Sequence, residues 1–197
     1  MTSRNLAVSG IVGIACAVVY FFVFPGGAIS TLMHNVLHLP GPGAGIALIL
    51  APILVFGGVF SRLATDWIGA GTVCAAAFGL AAVLLRLLGV SMYAAGGFGS
   101  AMSLLAVAAF GAILDGVFLA TRQAKRSWRF ALAGGLAGLG LLAFYWVAVF
   151  PRTTRWVAWR DVPLLAFLGL AAGAAAGYIA GRSLGSLARA VGPRAKE

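Results

Sequence analysis

The 197 residues of this chain are 62% hydrophobic and only 9% charged, with a mean hydropathy of +1.04, whereas a soluble domain is about a quarter charged. That composition excludes a water-facing domain of any size. The net charge of +10 would suit nucleic acid, but the Lys and Arg residues stand between and after apolar runs rather than along one basic face, so they read as topology signals and no nucleic-acid partner is expected.

A spanning helix needs about 20 apolar residues to cross roughly 30 Å of hydrocarbon. Apolar runs bounded by charges or Pro/Gly clusters predict six of them, over 6–24, 43–60, 67–85, 97–121, 130–150 and 162–181. The expected fold class is all-α: a polytopic membrane protein, with residues 1–197 forming a single transmembrane domain, a compact bundle of six transmembrane helices. The first run is long for a signal peptide, and it ends in Phe21-Phe22-Val23-Phe24-Pro25 rather than at a small-residue cleavage site. Six crossings leave both termini on one side. With the termini inside, the inner segments hold Arg4, Arg62, Arg122, Lys125, Arg126, Arg129, Arg182, Arg189, Arg194 and Lys196, against Arg86, Arg152, Arg155 and Arg160 outside. Ten against four predicts N-in, C-in by the positive-inside rule, in a bacterial or archaeal cytoplasmic membrane.

In chain order, the first span carries Ser9, Gly13 and Ala17 four residues apart, a small-residue ridge that another helix can approach closely. The 25–42 connection is the longest and least regular, and on this topology it faces outward. It contains His34 and His38, one helical turn apart, and closes in Pro40-Gly41-Pro42-Gly43, where fixed and permissive φ values favour a rigid corner. Two histidines with no third ligand and no HExxH pattern do not complete a metal site, so no metal is expected; contact with a small-molecule substrate, or a plain interfacial role, remains open. Cys16 and Cys74 lie inside apolar runs and read as small packing residues.

The third span repeats the small spacing at Gly71, Ala75 and Gly79, and the 89–99 connection, also outward, includes Tyr93. In the fourth span Asp115 is the one acidic residue inside a predicted crossing. An aspartate at mid-bilayer costs roughly 2.5–3.5 kcal/mol, so it should face the bundle or water. An ion pair or hydrogen bond to a neighbouring helix, through Arg122 or Arg182, is one reading; a coupling or partner contact is the other. The 151–161 connection holds Arg152, Arg155, Trp156 and Trp159, which would either stack an anionic or aromatic ligand or anchor the chain at the interface. The last span sets Gly169, Gly173, Gly177 and Gly181 on one ridge, and the fifth has Gly134 and Gly138. Such ridges serve packing within the bundle or docking of a partner helix, and a bundle this small is expected to need a partner for at least one.

Catalytic sets are missing. Gly97-Phe98-Gly99-Ser100-Ala101 is followed by no histidine that could activate Ser100, no Walker A motif or paired carboxylates occur, and no acid, base and nucleophile can be named together. The chain is therefore not expected to be an enzyme, and no cofactor is expected.

The chain resembles the substrate-binding membrane subunit, or S-component, of energy-coupling factor (ECF) transporters. The resemblance rests on the six-span plan and the Pro/Gly-rich corner Leu39-Pro40-Gly41-Pro42-Gly43-Ala44-Gly45. It rests also on Gly111-Ala112-Ile113-Leu114-Asp115, followed by a short basic loop and Ala133-Gly134-Gly135-Leu136-Ala137-Gly138. It implies that the first outer connection closes over a vitamin-like or other micronutrient solute, placing His34, His38, Tyr93, Trp156 and Trp159 near it. It also implies inner ends that meet a coupling protein driven by two ATPases. Members often dock that protein with an alanine-x-x-x-alanine ridge on the first helix; Ser9, Gly13 and Ala17 match it in size but not in identity, and the more regular ridge here is on the last helix. The competing expectation is a non-catalytic structural or assembly subunit of a respiratory or photosynthetic complex.

Overall fold

The computed structural model describes residues 2–23, 35, 38–39, 41–89, 101–122, 126–152 and 158–191. Helix α1 (Ser3–Val18) opens at Thr2, whose hydroxyl accepts the Asn5 N–H at 3.3 Å, and continues through one π-helical turn, Val19–Val23. Helix α2 begins at Gly41–Gly45, widens into a π-helical turn at Ile46–Leu50 and runs on as Ala51–Thr65. Next come α3 (Ala70–Leu87) and α4 (Ala101–Ala120). Helix α5 (Arg126–Phe144) ends in a third π-helical turn, Tyr145–Val149, and a short 3-10 turn, Phe150–Arg152. Helix α6 (Val162–Ser183) follows the 3-10 turn Trp159–Asp161, and α7 (Gly185–Val191) is a short terminal helix. No strand occurs among the described residues.

Six of these helices are long and apolar enough to cross a membrane: Ser3–Phe22, Gly43–Thr65, Ala70–Leu87, Ala101–Ala120, Trp128–Val149 and Trp159–Ser183. The chain is a multi-pass membrane protein. The second helix extends five residues past the expected limit at position 60, because Ser61 to Thr65 form its last turn, where Arg62 can carry its charge toward the boundary. Asp66 then takes a left-handed φ of 46° and Gly69 one of 106°, so the chain reverses in four residues into α3.

Helix α2 is the central post. It is the most buried of the six and touches every other helix, while α1, α3, α4, α5 and α6 form an open ring around it in that order of contact. Small residues such as Ala17, Ala47, Ala82 and Ala137 are buried together with Leu54, Phe78 and Phe110, while Ile11, Phe22, Leu84, Val147 and Phe167 face outward. Hydrocarbon chains are as apolar as leucine, so close backbone approach holds such a bundle rather than exclusion of apolar groups from its surroundings. The end of the bundle where α1 starts and α6 finishes is called here the terminal end, and the opposite one the far end.

Candidate functional site

Three π-helical turns, on α1, α2 and α5, lie at the far end. Each finishes two residues before a proline in the sequence: Val23 before Pro25, Leu50 before Pro52, Val149 before Pro151. A proline lacks the N–H that would bond to the carbonyl four residues back, and its ring crowds that carbonyl. The preceding turn relieves the conflict by widening. The Ala51 N–H reaches Ile46 O, and the Phe150 N–H reaches Tyr145 O, five residues back in each case. Single π turns of this kind recur at functional sites because they redirect the side chains that follow.

The widened turns gather aromatic side chains between the helices. Tyr20, Phe21, Phe78, Tyr145 and Phe150 are all buried. The Tyr20 ring meets Phe21 at 5.4 Å and Phe78 at 5.9 Å, both edge-on, and Tyr145 meets Phe150 at 6.0 Å. Beside this cluster a cavity of about 140 Å³ opens between α5 and α6, walled by Leu142, Trp146, Phe150, Val162 and Leu165 among others. None of its lining residues is ionisable. Trp146, one of its walls, keeps its indole N–H buried without a hydrogen-bond partner. An unmet donor in such surroundings costs about 1–3 kcal/mol, which a ligand acceptor would recover. The cavity can hold a ring-sized apolar group.

The 25–42 connection ends over this region. A Cβ on Gly43 would lie 2.7 Å from Leu165 Cδ1, so Gly43, in the first turn of α2, rests against a cavity wall of α6. Leu39 packs on the core. His38 is exposed and takes a left-handed φ of 50°. Trp159 is 71% exposed, yet its ring stands edge-on to Trp146 at 4.4 Å, at the border of the cavity. Of the other residues expected near substrate, His34, Tyr93, Arg155 and Trp156 lie outside the described residues, as does the side chain of Arg152. Among the described residues no three His, Cys, Asp or Glu side chains come together. Sequence reasoning missed Trp146, Tyr20 and Tyr145; the signal that points to them is the proline two residues past each π turn.

The small-residue ridges pack within the bundle, the first of the two readings their spacing allowed. Gly173 and Gly134 meet backbone to backbone, as do Gly169 and Gly138, and a Cβ on Gly177 would strike the Phe130 carbonyl. Gly181 lies against the Phe130 ring. Helix α5, running antiparallel, covers the α6 ridge at Gly169, Gly173 and Gly177. The Ser9, Gly13 and Ala17 ridge is likewise buried: a Cβ on Gly13 would strike the Cys74 carbonyl of α3 and lie 2.9 Å from Ala77 Cβ. The physical reason is pairing, since most of each ridge meets backbone or small side chains on a neighbouring span, and Gly181 makes room for the Phe130 ring.

Asp115 is hydrogen-bonded to a neighbouring helix, but not through an arginine. Its Oδ1 accepts the Gly71 N–H at 3.1 Å, and its Oδ2 accepts the Thr72 N–H and the Thr72 hydroxyl, each at 2.8 Å. It caps the first turn of α3 from across the bundle, where free N–H groups and the positive end of the helix dipole favour a carboxylate. Arg182 instead donates to the Tyr178 hydroxyl at 2.8 Å. Gly111 permits the approach: a Cβ there would lie 2.6 Å from Thr72 Cα.

No family model matches this sequence, and no curated protein matches it. Among solved structures, a crystal structure of an S-component of an ECF transporter superposes with a TM-score of 0.61 at 19% identity, over 95% of this chain and 85% of that one. The chain has the fold of an ECF-transporter S-component, as its sequence resemblance suggested.

Proposed function

We propose that this chain is the solute-binding membrane subunit of an ATP-driven importer of the energy-coupling factor type. In this reading the far end faces outward, the termini lie in the cytoplasm, and partner subunits supply ATP hydrolysis, for which this chain has no motif. The Arg and Lys distribution supports that orientation. The observation that carries the reading is the gathering of three widened helical turns, an aromatic cluster and a cavity at one end of the bundle, beside Gly43 in the first turn of α2. The S-component fold supports it. The solute presents a small apolar or aromatic group to the cavity and an acceptor to the Trp146 N–H. His34, His38, Tyr93, Trp159, Trp156, Arg152 and Arg155 complete the site around its more polar part. A vitamin-like compound with a ring and a polar arm fits that description. The chain is a binding subunit, with no reaction of its own.

The assembly-subunit alternative drew on glycine ridges free to dock a partner, and those ridges are filled from within. The test is purification in mild detergent followed by mass spectrometry of the denatured sample. One small compound, retained in about equimolar amount and displaced by growth without it, is expected. A chain that is empty after growth on every medium, and isolated only within a respiratory or photosynthetic complex, refutes the proposal.

A further inference from the structure

A second cavity, of about 350 Å³, lies at the terminal end, remote from the far-end site. It is walled by Arg62, Leu63 and Asp66 at the close of α2, Phe118 near the close of α4, and Arg129 and Phe130 at the start of α5. Both arginines have donors to spare. Arg129 Nη2 donates to the Phe118 carbonyl at 3.0 Å, but its Nε is buried with no hydrogen-bond partner, and so is Nη1 of Arg62. The Arg62 side chain is only 17% exposed, and its ion pair among the described residues, to Asp66 at 3.8 Å, is long and leads to a carboxylate that is 99% exposed. Asp66 therefore leaves the buried Arg62 donor unmet. Phe118 and Phe130, edge-on at 5.2 Å, form an apolar wall beside the two cations.

A buried guanidinium donor calls for an acceptor, and two guanidinium groups around one cavity call for an anion with several oxygens. The position selects among anions. Arg62 and Arg129 each sit about one turn inside a helix end, the depth at which lipid phosphates meet the protein, and basic pockets between spanning helices take lipid head groups there. The Phe118 and Phe130 wall suits the acyl chains beneath such a head group. We propose that the Arg62–Arg129 cavity binds a phosphate oxyanion, carried by an anionic phospholipid of the leaflet at the terminal end. This does not depend on the transport reading, since it concerns the other end of the bundle.

The experiment uses the full chain, delipidated by detergent exchange and then titrated separately with phosphatidylglycerol, phosphatidylcholine and inorganic phosphate. Thermal midpoint and lipid retained in native mass spectra are the readouts. Phosphatidylglycerol should raise the midpoint and be retained at concentrations where phosphatidylcholine is not. Arg62→Gln and Arg129→Gln should each weaken it about fivefold, and Arg160→Gln, the same charge change at the far end, should leave it as in the parent. Arg129→Lys keeps the charge but not the fork, should lie between, and serves if a Gln variant does not fold. Saturation by inorganic phosphate with the same arginine dependence would support the oxyanion site and assign it to a free anion rather than a lipid. Equal response to phosphatidylglycerol and phosphatidylcholine with no effect of phosphate, or phosphatidylglycerol and phosphate affinities unchanged in both arginine variants, would overturn the proposal.

Discussion

The α5–α6 seam and the far-end cluster are built from the same two helices by opposite means. Along the seam, Gly134 and Gly138 face Gly173 and Gly169 with no side chain between the backbones, and both helices keep regular α geometry. Toward the far end α5 widens into a π turn, the backbones separate around Trp146 and Phe150, and a cavity opens. The seam spends its small residues on rigidity, and the far end uses prolines and large aromatics to make room. A bundle with one tight end and one open end is suited to holding a solute at the open end while the rest stays fixed.

The largest effect is expected from breaking the seam. Gly173→Leu would drive a side chain into the Gly134 carbonyl and to within 2.9 Å of its carbon, a clash with backbone that no rotamer relieves. Overpacking commonly costs about 1–3 kcal/mol and more where backbone must move, so loss of monodisperse protein in size-exclusion chromatography is expected. Gly116→Ala, where nothing lies within 4 Å of the added methyl, should behave as the parent. Normal yield of the leucine variant would show that the seam is not the rigid element.

Next comes Asp115→Ala. It leaves the Gly71 and Thr72 N–H groups and the Thr72 hydroxyl without their acceptor, at about 1–3 kcal/mol each and about 5 kcal/mol together, while removing a burial cost of roughly 2.5–3.5 kcal/mol. A net loss of about 2 kcal/mol should lower the thermal midpoint by roughly 4–8 °C in a chain of this size, and Asp115→Asn, which keeps one acceptor, should fall between. An unchanged midpoint would mean that α3 does not need this cap.

These two sites show what could be read from sequence and what could not. Glycines every four residues announce that a helix can come close, but the spacing does not say whose helix comes; only the antiparallel register of Gly134 with Gly173 answers that. Asp115 stood out as a lone acid, yet its charge directed attention to Arg122 and Arg182, because backbone N–H donors leave no mark in a side-chain pattern. The six-helix architecture was legible because hydrocarbon admits few alternatives to helices. At the far end the prolines were visible, but Pro25 and Pro151 read as the edges of spans and Pro52 as an ordinary member of one. Their shared consequence, a widened turn just before each, depends on helix geometry, and residue type does not display it.

The far end supplies the third test. Pro151→Ala restores a donor to α5 and removes the crowding of the Val147 carbonyl, so the turn at Tyr145–Val149 is expected to close to α geometry and rotate Trp146 and Val149. Solute retention should fall at least about tenfold, equivalent to roughly 1.4 kcal/mol, while the midpoint holds or rises because a helix breaker has gone. Retention equal to the parent would separate the widened turn from binding.

The smallest expected effect discriminates most sharply. Trp146→Phe keeps an aromatic wall in the cavity and its edge contact with Trp159, but removes the indole N–H that is buried without a partner. If that donor exists only for the solute, the empty protein should become more stable, by up to about 1 kcal/mol, since an unmet donor has been deleted. The bound form should lose a hydrogen bond of about 1 kcal/mol, a roughly fivefold weaker affinity. The two readouts therefore move in opposite directions: midpoint up without solute, affinity down with it. A packing role alone would lower both together, so a fall in the midpoint of the solute-free variant would remove Trp146 from the site and leave the cavity as a defect between two helices.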